Sequence, residues 1–305
     1  MGLSAKHDRS MFIAGCLALL GGACGRSDVA VIAHPDRPAA VASVASQPAT
    51  ALVDSIIIPT GPAGVEARRG FAILAATHDS MPEYAGAALR CFSCHLDNGT
   101  RPNAIPLVGA YVRYPNYATR DDRVISIQDR VNNCFERSLA GRRVPVDDAR
   151  MTAIVMYLAV MSRGVSVGSH VAGEGMPTLP MLPGDTARGA AIFTARCARC
   201  HGMDGQGIPP ATALWGPRSY SIGASLARIE RAATFIRHNM PFDSAGVLSD
   251  QQSFDVASYV VSRPRPDSRG KQSDWPEGGA PADVPYETRG HTAFNSPRVL
   301  SPAMK

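Results

Sequence analysis

Hydrophobic positions in the middle of the chain recur with the 3.6-residue spacing of amphipathic helices, and they do so in two similar sets. Ile127, Val131, Cys134 and Phe135 fall at i, i+4, i+7 and i+8; Ile229, Ala232, Ala233 and Ile236 fall at i, i+3, i+4 and i+7. A closing stripe follows each set: Ile154, Tyr157, Leu158 and Met161, then Phe254, Ala257 and Val261. The predicted fold class is therefore all-α, with two small helical units in tandem. Outside them the pattern fades. Residues 25–64 are rich in Ala, Pro, Ser and Val with few aromatics, the composition of a flexible tether. From about Pro264 the chain is again rich in Pro and Gly, and the sequence does not decide whether this tail wraps over the units or stays loose.

At the N-terminus, Lys6 and Arg9 precede the apolar run Met11–Leu20 and the small residues Gly21, Gly22 and Ala23. This is the layout of an export signal, too short to span a membrane as a mature helix. The stretch Leu20-Gly21-Gly22-Ala23-Cys24 also fits a loose lipobox, so two readings stand: a lipid anchor at Cys24, or a plain signal cleaved near Ala23. No other stretch approaches about 18 consecutive apolar residues, and no spanning helix is expected. The expected division is a signal over 1–24, a tether over 25–64, a first unit over 65–165, a linker over 166–184, a second unit over 185–265 and a tail over 266–305.

The two units are an internal repeat. Cys91-Phe92-Ser93-Cys94-His95 and Cys197-Ala198-Arg199-Cys200-His201 share the form C-x-x-C-H at a shift of 106 positions. The same shift carries Asn132-Asn133-Cys134 onto His238-Asn239-Met240, so 39 positions separate His95 from Cys134 and His201 from Met240 alike. With small gaps, Gly109 answers Gly216, and Ala67-Arg68-Arg69-Gly70 answers Thr186-Ala187-Arg188-Gly189.

C-x-x-C-H is the attachment signature of a c-type haem: two thiols form thioethers to one porphyrin, and the adjacent His becomes the proximal iron ligand. Two covalently bound haem c groups are expected, held by Cys91, Cys94 and His95 and by Cys197, Cys200 and His201. Export fits, because this haem is attached outside the cytoplasm, and a periplasmic location follows. The repeat then places the distal ligands. In the second unit Met240 is the candidate, with His238 as a rival. In the first the equivalent position is Cys134, whose thiolate would hold the potential down; a buried packing cysteine is the plainer alternative. Lysine ligation is excluded for both units, since Lys6, Lys271 and Lys305 all lie outside them.

Seven cysteines do not make a disulfide framework: four attach haem, Cys16 and Cys24 sit near the N-terminus, and Cys134 is left. The formal net charge of +5 and pI near 8.9 come without a nucleic-acid motif or a basic-aromatic stripe, so no nucleic-acid partner is expected.

The stretches Cys91–Thr100, Asn133–Ser138 and His238–Pro241, with Trp215-Gly216-Pro217, Arg263–Pro266, Asp274-Trp275-Pro276 and Pro285-Tyr286, resemble the dihaem thiosulfate dehydrogenases over roughly Gly64 to Tyr286. The resemblance implies that the first haem, with His95 and Cys134 as ligands, forms the active site and that the second passes electrons on. It implies coupling of two thiosulfates to one tetrathionate, with two electrons delivered to an external acceptor such as a small cytochrome c, or the same chemistry reversed. Some members carry Lys beside the distal Met of the second haem; here that neighbour is Asn239, which removes a ligand switch of that kind.

Two dianions must meet in such a site, and arginine suits them with its planar, permanently charged fork of donors. Between Glu66 and Arg163, thirteen Arg and no Lys stand against ten Asp and Glu, a net of +3. Arg101, Arg113 and Arg137 flank the motifs and are the substrate-binding candidates, with Arg130 and Arg142 behind them. Cys134 is the candidate nucleophile, carrying a thiosulfate sulfur as a transient adduct. Two other classes remain open: a non-catalytic dihaem electron carrier, and a SoxA-like subunit acting on a carrier protein's thiol.

Overall fold

The computed structural model describes residues 58–293 and the backbone of 299–300. The export signal, Cys16, Cys24 and most of the expected tether lie outside the described residues.

Among the described residues, six helices of seven residues or more frame the two units, and the local sequence explains where most of them start. Helix α1 (Pro62–Ala75) opens on a proline, whose missing N–H has no partner to lose in a first turn. Helix α2 (Ile127–Asn133) begins with a capping box: Ser126 Oγ accepts from the Asp129 N–H at 3.1 Å, and the Asp129 carboxylate accepts from the Ser126 N–H at 3.2 Å. Asp148 and Asp185 cap helices α3 (Ala149–Val160) and α4 (Thr186–Arg196). Helix α5 (Ile229–Asn239) ends where Pro241 forces Met240 into extended backbone. Helix α6 (Asp250–Val261) opens under a second capping box, Ser249 with Gln252.

In each unit the first helix crosses the last. A Cβ on Gly70 would stand 2.0 Å from the carbonyl oxygen of Ala153, and one on Gly189 would stand 2.0 Å from that of Asp255. These are the glycines that answer each other in the repeat. The crossings are close because only hydrogen fits between the backbones. As expected, a helix precedes each C-x-x-C-H turn, a middle helix leads to position 134 or 240, and a closing helix finishes the unit.

One element departs from its periodicity. The stripe through Phe135 predicts a regular helix, whereas α2 ends at Asn133 and continues as a π-helical turn over Cys134–Ser138, with the Leu139 N–H bonded to the Cys134 carbonyl at 2.9 Å. The wider turn sends Phe135 into the core, while Arg137 and Ser138 face a polar cavity. Two short pairings lie outside the helical frame. Strands β1 (Asn116–Ala118) and β2 (Arg123–Ile125) form an antiparallel hairpin with Tyr117 opposite Val124, and β3 (Arg265–Pro266) runs parallel to β4 (Val299–Leu300).

The packing does not follow the sequential cut into units. Tyr220, Ala224 and Ala227, from the second block of sequence, share one core with Met81, Phe135, Met151 and Ile154 of the first. The tail is also engaged: Trp275, Val284 and Tyr286 bury themselves with Ile222. Apolar side chains spaced along 220–227 and 275–286 give these loops a reason to dock. Among the described residues, no helix is long and apolar enough to cross a membrane.

Candidate functional site

Each C-x-x-C-H histidine is oriented by a backbone carbonyl. His95 Nδ1 lies 2.5 Å from the Ile105 oxygen, and His201 Nδ1 lies 2.9 Å from the Thr212 oxygen. A carbonyl can only accept, so Nδ1 carries a proton in each ring, which leaves Nε2 as the nitrogen available to a metal.

In the second unit, Cys197, Cys200, His201 and Met240 line a cavity of about 690 Å³ whose walls include Phe193, Ile236 and Val256. Met240 reaches this cavity, while the rival His238 is not among its lining residues. Beside it, the fully buried Arg265 stacks 4.4 Å over the ring of Tyr220, which lines the cavity; among the described residues its Nε and Nη1 have no hydrogen-bond partner. A buried guanidinium without an anion is a donor set that a haem carboxylate would satisfy. Thiols, imidazole, thioether, apolar walls and an unpartnered cation together fit a c-type haem.

In the first unit Cys91, Cys94, His95 and Cys134 converge, and their surroundings divide the thiols sharply. Burial pushes Cys91 up to about 11 and Cys94 up to about 12. Burial would raise Cys134 as well, but the Arg130 guanidinium and the His95 ring outweigh it and bring this thiol down to about 7. Arg130 Nη1 lies 3.2 Å from the Cys134 sulfur. Two thiols therefore sit in apolar surroundings, and the third sits beside a cation that favours its anion.

Beyond Arg130 opens a polar cavity of about 280 Å³, lined by the β1–β2 hairpin together with Tyr114, Arg120, Arg130, Asn133, Arg137 and Ser138. Arg137, a sequence candidate, is in this wall, paired with Asp121 at 3.0 Å and Asp274 at 2.6 Å. Arg101 is not in the wall. It pairs with Asp97 at 2.7 Å and stacks over Phe242 at the join of the two units. Arg113 pairs with Glu174 at 3.2 Å, and Arg142 donates to the Glu83 carbonyl and stacks on Tyr84. Arg130, ranked behind them, is the arginine on Cys134, and its place four residues earlier on one helix face was the signal that could have promoted it. Arg120 was missed; it enters through the hairpin, and nothing local to the motifs points to it.

The two sites adjoin. Cys94 and Asp97 line the larger cavity alongside Cys197 and Cys200. Leu96 and Ala104 pack with Phe235 and Met240, and Asn239 Nδ2 donates to the Asn103 carbonyl at 3.1 Å.

Residues 81–167 match the model "SoxA/TsdA, cytochrome c domain", and residues 184–260 match "Cytochrome C oxidase, cbb3-type, subunit III". A thiosulfate dehydrogenase of Allochromatium vinosum is 39% identical over 252 residues, 78% of this chain and 90% of that one. The chain belongs to the thiosulfate dehydrogenase family. A second member, from Psychrobacter arcticus, is 38% identical over 79% of this chain and 76% of its own. The solved thiosulfate dehydrogenase (TsdBA) of Marichromatium purpuratum superposes with a TM-score of 0.69 at 30% identity, covering 80% of this chain; the chain spans only 56% of that longer one. The family architecture is two tandem cytochrome c domains, and these bind haem c.

Proposed function

We propose that the chain joins two thiosulfate anions into tetrathionate and passes the two released electrons to an external acceptor such as a small cytochrome c. The observation that carries this reading is the Arg130–Cys134 contact at 3.2 Å, at the edge of a polar cavity that Arg120 and Arg137 also line. Two dianions about 4 Å apart repel by roughly 4 kcal/mol even at the dielectric constant of water. Three guanidiniums against the Asp121 carboxylate in the wall and Asp274 behind it leave the cavity net positive, which offsets part of that repulsion.

Two haem c groups would be held by Cys91, Cys94, His95 and Cys134, and by Cys197, Cys200, His201 and Met240. When bound they supply one-electron acceptance, the thioether ligand favouring the higher potential. Cys134 serves as nucleophile as well. Its thiolate sulfur bonds to the outer sulfur of the first thiosulfate, and two electrons leave the site as that bond forms. The second thiosulfate attacks the same outer sulfur, Cys134 departs as thiolate, and tetrathionate is released. Each cycle consumes two thiosulfates and restores the thiolate; run backwards, the same steps cleave tetrathionate. Arg130 keeps the departing and attacking sulfur anionic. The N-terminal signal places the reaction in the periplasm, with a lipid at Cys24 as one form of attachment.

An anaerobic optical spectrum of the oxidised holoprotein, before and after thiosulfate, tests this directly. Reduction of haem with tetrathionate appearing, and loss of both in Cys134→Ala that retains its haems, is the expected outcome. Haems that stay oxidised with thiosulfate yet exchange electrons with a small mediator would overturn the enzyme reading and return the chain to the carrier class.

A further inference from the structure

Two arginines in the wall of the polar cavity are braced from far along the chain. Asp274, with its side chain 3% exposed, accepts from Arg120 Nη2 at 2.8 Å, from Arg137 Nη2 at 2.6 Å and from the Tyr286 hydroxyl at 2.6 Å. The next residue grips Arg120 twice more. Trp275 donates its backbone N–H to the Arg120 carbonyl at 2.9 Å, and its ring lies 4.7 Å from the guanidinium. Trp275 holds φ at +52°, a conformation that bulky residues rarely adopt, and packing against Ile222, Val284 and Tyr286 keeps it there.

The pairing leaves donors over. Arg120 Nη2 alone serves Asp274, the Gly223 carbonyl and the Tyr286 hydroxyl. Among the described residues its Nε has no hydrogen-bond partner, and the residue lines the cavity. A purely structural ion-pair network would spread its acceptors over the whole fork. Here they gather at one nitrogen of a residue that also lines the cavity. Asp121 holds Arg137 from the opposite side and accepts from Asn133 Nδ2 at 3.0 Å, so both guanidiniums are fixed in place.

We infer that Asp274 is a positioning residue for substrate: it sets Arg120 and Arg137 side by side to receive the sulfonate of the incoming second thiosulfate, while Arg130 serves the thiosulfate at Cys134. This rests on the thiosulfate reading above. The C-terminal segment 274–286 is then part of the active site and not a covering strap.

The test is Asp274→Asn in the full-length holoprotein, read by steady-state kinetics and by calorimetric binding of sulfate, a non-reacting dianion with the same oxygen face. Removing a charged, buried hydrogen-bond partner should raise KM for thiosulfate about tenfold or more and weaken sulfate binding in parallel. We expect kcat to stay within about twofold and the haem spectrum to be unchanged. Tyr286→Phe, which removes one of the three donors to Asp274, should shift KM in the same direction by less and serves if Asp274→Asn does not fold. Unchanged KM and sulfate affinity in both variants, with only a lower unfolding temperature, would overturn the inference. Sulfate binding that depends on Asp274 in a wild-type protein that does not oxidise thiosulfate would instead sustain the anion site and remove the thiosulfate reading.

Discussion

Cys134 and Arg130 show how little separates an inert thiol from a reactive one. Cys91, Cys94 and Cys134 lie half-buried in one cluster, and what distinguishes the third is the Arg130 guanidinium four residues back, with the His95 ring adding to it. Arg130→Gln removes that cation while keeping a donor of similar reach. A hydrogen bond to a charged group contributes about 1.5–3 kcal/mol, so kcat/KM for thiosulfate should fall roughly ten- to a hundredfold with haem content unchanged. Stopped-flow reduction by thiosulfate would measure it; an unaltered rate would dissociate Arg130 from the chemistry. At this scale the sequence was informative where chemistry is local. The C-x-x-C-H turns, Cys134 and Met240 could be placed by spacing alone. The arginines could not, because proximity to a motif in sequence does not say which way a side chain faces. Arg101 and Arg142 sit near motifs yet are committed to Asp97 and Phe242 and to Glu83 and Tyr84, whereas Arg120 reaches the cavity on a hairpin whose closure no periodicity announces.

At the scale of elements, α2 matters most, since it carries Arg130 and delivers the chain to Cys134. Its start is held by Asp129, where a hydrogen bond from Arg123 holds the carboxyl well below the usual carboxylate range; burial opposes the shift, and the Ser126 N–H and Arg143 add to it. A carboxyl depressed in the folded protein stabilises it at pH values above the unfolded pKa of about 3.9 and loses that contribution as pH falls through the folded value. Urea midpoints should therefore drop on acidification below about pH 4, and Asp129→Asn should flatten that acid limb while costing stability at neutral pH. An identical acid limb in the variant would show that the cap works without its charge. The helices and their order were legible from period and repeat, which also matched Gly70 to Gly189, while the close helix crossings at these two glycines were not. The π-turn at Cys134–Ser138 was not, because the hydrophobic stripe ends at Phe135 and carries no phase beyond it.

For the whole molecule, the repeat in sequence overstates the independence of the halves. Tyr220, Ala224 and Ala227 complete the core around Phe135 and Met151, and Ala88 and Ser221 bridge the halves with backbone hydrogen bonds at 3.0 and 3.3 Å. Two separate domains would melt separately; a shared core should melt once. Thermal unfolding followed in the haem band and in far-ultraviolet circular dichroism is expected to give one coincident transition, and two resolved steps would contradict it. The block boundaries drawn from sequence could not reveal this sharing, since they rest on motif spacing and the shared residues are short apolar stretches inside loops.

The sharing bears on how the protein is made. A chain delivered across a membrane from its N-terminus presents Cys91 and Cys94 early, yet the core around them waits for residues 220–227, and the cavity beside Cys134 waits for Asp274. The unit that begins first is thus finished last. On the proposed reading of Cys91 and Cys94 as attachment thiols, both emerge before the residues that enclose them, so attachment would precede closure of this core.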